Sequence, residues 1–221
     1  MYDVLIIGAG PGGIFSAYEL IRQNPQLKVG VFEAGHELNK RKCPIDGVKV
    51  KSCIACKNCS IMSGFGGAGA FSDGKYNITN DFGGTLYEYI GKKKAMELMK
   101  YVDEINVSHG GEECKLYSTA GSKFKKLCMQ NQLNLLEASV RHLGTDINYV
   151  VLQNIYDELK DKADWHFNTH IDNIESLDEY YQVDCSKGSF TCKDCIVSVG
   201  RSGSKWMQGV CEKLGIGTLS N

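Results

Sequence analysis

The chain has 221 residues, with 25 Lys and Arg against 26 Asp and Glu and a formal net charge of -1. Hydrophobic residues make up 43% and charged residues 23%, the balance of a folded globular chain rather than a disordered one. So even a charge gives no field to recruit nucleic acid or an acidic membrane, and no apolar run approaches the roughly 20 residues that span a bilayer.

No leader-like segment precedes the first strand pattern, so a cytoplasmic protein is expected. The 25 Gly against 3 Pro mark backbone that bends sharply or approaches something closely. The 10 Cys, in a reducing compartment, point to metal, redox chemistry or buried thiols.

Residues 2–7 form a short β-branched apolar run, the pattern of a strand buried on both faces of a parallel sheet. The run enters Gly8-Ala9-Gly10-Pro11-Gly12-Gly13. A helix is predicted over 14–23, with Ile14, Ala17, Tyr18 and Ile21 at helical spacing. A second strand follows over 28–32 and ends at Glu33. The result is a β-α-β unit carrying G-x-G-x-x-G at Gly8, Gly10 and Gly13, with an acid 20 residues beyond the last glycine.

Each part has a physical reason. Gly8 permits the tight turn, Gly10 lets backbone approach a pyrophosphate, and Gly13 lets helix and strand pack closely. The helix N-terminus holds the phosphate charge, and Glu33 accepts hydrogen bonds from ribose hydroxyls. The flanking strand, helix and acid are the context that confirms such a motif. A carboxylate at the ribose disfavours NADP in this site and leaves FAD and NAD.

Residues 34–84 show little periodicity and much Gly, Cys, Lys and Asp, a length that is normally functional or disordered. Within them, small residues alternate with Phe from Gly64 to Phe71. Two readings stand: backbone packed on a flat apolar object, or a self-packed surface loop. Helices are predicted over 85–101 and 123–132, and a strand over 135–140. Thr145 is read as the N-cap of a helix reaching about residue 163, with Ile147, Val151, Ile155 and Leu159 on one face. Strands follow over 165–169, 180–185, 189–191 and 194–199, the last ending in Gly200-Arg201-Ser202-Gly203.

These residues resemble the two-dinucleotide-binding-domain flavoproteins, and more narrowly the bacterial uncharacterised FAD-dependent dehydrogenase family of NAD(P)/FAD-dependent oxidoreductases. The similarity is carried by GAGPGG and Glu33, the stretch GFGGAGAFSDGKYN from Gly64 to Asn77, Arg141-His142-Leu143-Gly144-Thr145-Asp146, and the strand ending in Val199-Gly200-Arg201. Lys75 and Tyr76 depart from the glycine-Arg-Cys-Asn stretch of a neighbouring flavoprotein group.

The resemblance implies an α/β, Rossmann-like FAD/NAD(P)-binding domain with a parallel sheet, a β-meander and an inserted loop and helical segment. The domain would be built from 1–34 and 165–221 around an insertion at 35–164. It implies FAD held at Gly8, Ala9, Gly10, Pro11, Gly12 and Gly13, with Glu33 on the adenosine ribose. Ser72 and Asp73 would lie along the pyrophosphate and isoalloxazine, Ile171 near the adenine, and Val199 and Gly200 beside the nucleotide.

Hydride transfer through the flavin to or from a small-molecule substrate would follow, with NAD(P)H as electron donor and no nucleic acid or membrane involved. Members of this family are longer, so the chain reads as truncated and incomplete at its C-terminus. A C-terminal partner chain or a homo-oligomer would complete it. The alternative is a catalytically silent nucleotide-binding fragment within an assembly.

Cys53, Cys56 and Cys59 form C-x-x-C-x-x-C, with Cys43 ten residues upstream. Such thiolates can wrap an iron–sulfur cluster or Zn²⁺. A redox dithiol and a set of plain reduced thiols are the competing readings. Cys192 and Cys195 lie three apart on a strand, where side chains point to opposite faces, so joint ligation is not expected. His166 and His170 on a strand stand roughly 13 Å apart, too far for one ion. His142 is read either as a phosphate contact or as ordering a loop.

Overall fold

The computed structural model describes residues 1–219. In chain order the strands and α-helices are β1 (Tyr2–Ile7), α1 (Pro11–Gln23), β2 (Val29–Phe32), β3 (Lys75–Ile78), α2 (Leu86–Ile90), α3 (Lys92–Asn106), β4 (Leu116–Ser118), α4 (Phe124–Gln130), β5 (Ser139–His142), α5 (Gly144–Leu159), β6 (Asp164–His166), β7 (Ile171–Leu177), β8 (Tyr180–Cys185), β9 (Gly188–Val197) and α6 (Ser204–Lys213). They fall into two units, residues 1–70 with 155–221 and residues 71–154. This division falls elsewhere than the sequence boundaries at 34/35 and 164/165. Backbone hydrogen bonds tie His36 to Phe65 and Ala9 to Gly66, so the part of the glycine-rich stretch up to Ala70 goes with the first strands.

The first unit is Rossmann-like: a six-stranded sheet in the order β6-β2-β1-β9-β8-β7. Strands β6, β2, β1 and β9 run parallel, and β9, β8 and β7 form an antiparallel meander. Every residue of β2 is buried, as are Leu5, Ile6 and Ile7 of β1, which explains why these strands read as unbroken apolar runs. Phe32 stacks on His166 with ring centroids 4.3 Å apart and meets the edge of Phe190 at 4.9 Å. A second aromatic group joins Phe65, Tyr156, Trp165 and Phe167. Phe65 is fully buried there, so at this position the glycine-rich stretch packs on its own unit.

Several elements depart from the sequence reading, among them the strands β3 and β4, which pattern did not predict. Strand β7 was not expected, because only Ile174 of its seven residues is fully buried. The two runs at 189–191 and 194–199 are parts of the single strand β9. Within it Lys193 and Asp194 are both exposed, which breaks the alternation. Cys192 and Cys195 therefore pack on the same core, close enough to act on each other's thiol, contrary to the opposite-face expectation. The pair pushes the Cys195 thiol up and draws the Cys192 thiol down.

The second unit holds the antiparallel sheet β3-β5-β4 with helices α2, α3 and α4. Helix α5 begins at Gly144, one residue before the expected cap at Thr145. Gly144 donates its backbone N–H to the Asp73 carbonyl, and Leu143 donates to Gly74. Arg141 of β5 is clamped by Asp103 of α3 through Nε–Oδ1 at 2.6 Å and Nη2–Oδ2 at 2.8 Å, and it also reaches the Cys114 carbonyl. Both side chains of the pair are about nine-tenths buried.

Removing one partner of such a pair strands the other charge. Arg141→Met is expected to destabilise this unit by about 3–5 kcal/mol, measured by urea unfolding. In the first unit, burial first and the Lys187 charge second hold the His166 imidazole below its ordinary pKa, with Asp164 opposing. The unfolded chain then binds a proton here more readily than the folded one. Stability should therefore rise with pH through the window below about 6.5, and His166→Gln should flatten that slope in urea titrations at successive pH values.

Candidate functional site

The turn between β1 and α1 is built on contacts that only glycine permits. Gly8 has φ +101°, and a Cβ there would lie 2.6 Å from the Ser198 carbonyl oxygen. A Cβ on Gly13 would lie 1.8 Å from the Gly8 oxygen, so helix and strand meet with no room to spare. Gly10 differs from both. Its φ is −77°, which any residue adopts, and a Cβ would meet nothing nearer than the Gly67 Cα at 3.9 Å. The fold gives no reason for a glycine there.

Above this turn lies a cavity of about 770 Å³ within the first unit, in the size range of small-molecule and cofactor sites. Its walls bring together Gly8, Gly10, Pro11, Gly12, Glu33, Ile171, Val199 and Gly200 among the residues expected from sequence. Ala9 and Gly13 are buried and are not among the lining residues. Ser72 and Asp73 belong to the second unit, where both are exposed. Asp73 pairs there with Lys75 at 2.8 Å and approaches His142 at 3.6 Å. Lys75 first, then His142, hold the Asp73 carboxyl below the usual range.

The lining also includes the loop Gly67-Ala68-Gly69 and Arg201, which lie in stretches that carry the sequence resemblance, and residues that pattern reading missed: Lys57, Asn58, Thr169, Ser198 and Trp206. Asn58 donates to the Ala34 carbonyl at 2.8 Å and bonds His170 at 2.8 Å. The Ser198 hydroxyl donates to the carbonyls of Ile7 and Gly8. Among the missed residues Ser198 carried a signal in sequence, through its place just beyond the end of β9.

Glu33 ends β2 and points into the turn. It is 7% exposed. Its carboxylate accepts backbone N–H bonds from Ala9 at 2.8 Å, Gly35 at 2.8 Å and Gly64 at 2.9 Å. A carboxylate offers about four lone-pair sites, so three are committed to backbone and one remains for a ligand hydroxyl. The side chain read from sequence as a ribose acceptor is first of all the tie between three segments.

Gly66 donates to the Ala9 carbonyl at 2.8 Å, and Gly67 faces Gly10. A glycine loop thus forms the wall opposite the first turn. At that turn Ile14 N–H bonds to the Gly10 carbonyl, and the helix begins with Pro11, so the N–H groups of Gly12 and Gly13 precede the first intrahelical bond. Free amides, a helix N-terminus and the cationic side chains of Lys57 and Arg201 around one cavity are suited to an anion. Ile7, Phe32, Ile171 and Val199 supply an apolar side.

The cysteine tetrad is not assembled. Cys43, Cys53 and Cys56 are exposed and Cys59 is half-buried. Among the described residues no group of three or more His, Cys, Asp or Glu side chains is placed to hold a metal ion. Between Cys43 and Cys53 the chain folds round Asp46, whose carboxylate accepts from the amides of Val48, Lys49 and Val50. The C-x-x-C-x-x-C spacing is met in sequence without a ligand cage in space, and an iron–sulfur centre does not fit this arrangement.

No protein-family model matches the chain, and no curated protein matches its sequence. Solved structures do. A glycine oxidase from Geobacillus kaustophilus is 16% identical, covers 97% of this chain and superposes with a TM-score of 0.55. NikD, an unusual amino acid oxidase essential for nikkomycin biosynthesis, is 10% identical over 97% of this chain, with a TM-score of 0.52. The chain spans 58% and 54% of the lengths of these two proteins. At such identities the likeness is one of fold. No helix among the described residues is long and apolar enough to cross a membrane.

Substituting Glu33 by Gln keeps the shape but aims an NH₂ group at backbone donors. Glu33→Gln is expected to cost about 1–3 kcal/mol, read as a lowered melting temperature of the ligand-free chain.

Proposed function

We propose that the first unit binds the adenosine diphosphate portion of FAD and that the chain is the cofactor-binding part of a flavin-dependent oxidoreductase. The observation that carries this is Gly10. Its backbone conformation and its surroundings accept a Cβ, so the glycine makes sense only if another group fills the space above it. That space is bounded by free N–H groups and by a carboxylate with one acceptor site left, the chemistry of a diphosphate next to a ribose. The family resemblance in the sequence and the oxidases among the structural neighbours agree with this reading.

In this reading Gly12 N–H and the α1 N-terminus take the diphosphate, Glu33 takes a ribose hydroxyl, and the apolar wall at Ile171 and Val199 takes the adenine. Arg201 and Lys57 add positive charge at the rim. Bound FAD would supply a hydride acceptor and donor. The protein's own part is to hold the nucleotide and keep its phosphate charge neutralised. NAD(P)H as donor and a small-molecule substrate belong to the same proposal. Because the chain spans little more than half of its structural neighbours, a second reading has support: a nucleotide-binding fragment, silent by itself, that a partner chain or a second copy completes.

The test uses ADP and FAD with the full chain. Wild-type protein is expected to bind ADP in calorimetry and to acquire flavin absorbance with FAD. Gly10→Ala should keep the wild-type melting temperature yet lose ADP affinity by about tenfold or more, as a clash with the diphosphate demands. Gly13→Ala should fail at folding instead. Equal ADP affinity in wild type and a folded Gly10→Ala variant would falsify the assignment. Reduction of bound FAD by NAD(P)H separates the enzyme from the silent fragment.

A further inference from the structure

We propose that Arg41 is a positioning residue for the diphosphate, acting from beneath the glycine loop by fixing the peptide planes whose N–H groups face the phosphates. The inference rests on the nucleotide reading above and extends it to a side chain outside the cavity lining.

Arg41 is 4% exposed. Its guanidinium donates Nε to the Ser60 carbonyl at 2.8 Å, Nη2 to Ile61 at 2.8 Å, and Nη1 to both Phe65 at 2.6 Å and Gly67 at 2.9 Å. One buried cation therefore gathers four carbonyls of a loop that is short of side chains. Gly64 makes room for it, since a Cβ there would meet the Arg41 Cδ at 2.6 Å.

The consequence follows from peptide geometry. In a planar trans peptide the C=O and the next N–H point in opposite directions. The Phe65 carbonyl turns toward Arg41, so the Gly66 N–H turns away, to its bond with the Ala9 carbonyl on the first turn. The Gly67 carbonyl turns toward Arg41, so the Ala68 N–H turns away likewise. Gly67 and Ala68 line the cavity and Arg41 does not. The same guanidinium thus secures the loop against the turn and directs an amide to the anion side.

Its charge adds a second contribution. The Glu33 carboxylate acts electrostatically on Arg41, and the cation in turn offsets the negative charge that Glu33 brings close to a diphosphate. Lysine would keep the charge but has one nitrogen in place of a planar fork, and it cannot hold four carbonyls.

The experiment compares ADP binding by calorimetry in the wild-type chain, Arg41→Lys and Arg41→Ala, with circular dichroism on each. Loss of the fork is expected to raise the ADP dissociation constant of a folded Arg41→Lys chain by about tenfold. Guanidinium ion at non-denaturing concentration should restore part of the affinity of Arg41→Ala and leave wild type unchanged. Wild-type affinity in a folded Arg41→Lys chain overturns the proposal while leaving the nucleotide reading standing. Absence of ADP binding by wild type overturns both. Should the variants fail to fold, amide hydrogen exchange on the wild type decides: ADP should slow exchange at Ala68, and unchanged exchange there sinks the proposal.

Discussion

A loop made of glycine and alanine has almost no side chains by which to be held, so it must be held by its backbone. Everything around the cavity depends on how that is done. The Glu33 carboxylate collects N–H groups from three segments, and the Arg41 guanidinium collects carbonyls from the same loop. The two charges work as complementary clamps, one for donors and one for acceptors. Neither would be tolerable alone at this burial, because an isolated charge in the interior is costly. Together with the backbone dipoles they bind, each is satisfied.

This arrangement changes the reading of the acid at the end of β2. In the bare motif it looks like a ligand contact and nothing more. In the folded chain it is structural first, and the proposed ligand contact would use only the acceptor site that is left. The same side chain thus links the turn after β1, the loop after β2 and the glycine loop, so that cavity shape and fold stability share one carboxylate. The second unit is organised on a similar principle, with Arg141 bridging β5 and α3 through Asp103.

The β1-α1-β2 unit was legible because several levels agree: apolar runs of strand length, glycines at a fixed offset, and helical spacing from Ile14 onward. Legibility ended where a role depends on contacts rather than on pattern. Arg41 sits between Lys40 and Lys42, and nothing in that run reveals that the middle residue is buried. Asn58 and Lys57 reach the cavity from between cysteines whose spacing drew attention to metal instead. Strand β7 carries Asp172, Asn173, Glu175 and Ser176, polar enough to hide a strand held mainly by its antiparallel partner. The pairing of Cys192 with Cys195 needed a break in alternation that no two-residue period foretells.

The place of β9 in the sheet has a consequence for how the chain acquires its shape. Strand β1 lies between β2, which follows it closely, and β9, with Leu5 beside Cys195 and Ile7 beside Val197. One side of the first strand can therefore be covered early, whereas the other waits for a strand that follows it by about 190 residues. Contacts of such sequence separation are slow to close. During synthesis the turn after β1 remains half-made until then, because Ser198, which braces Gly8, arrives directly after the same late strand.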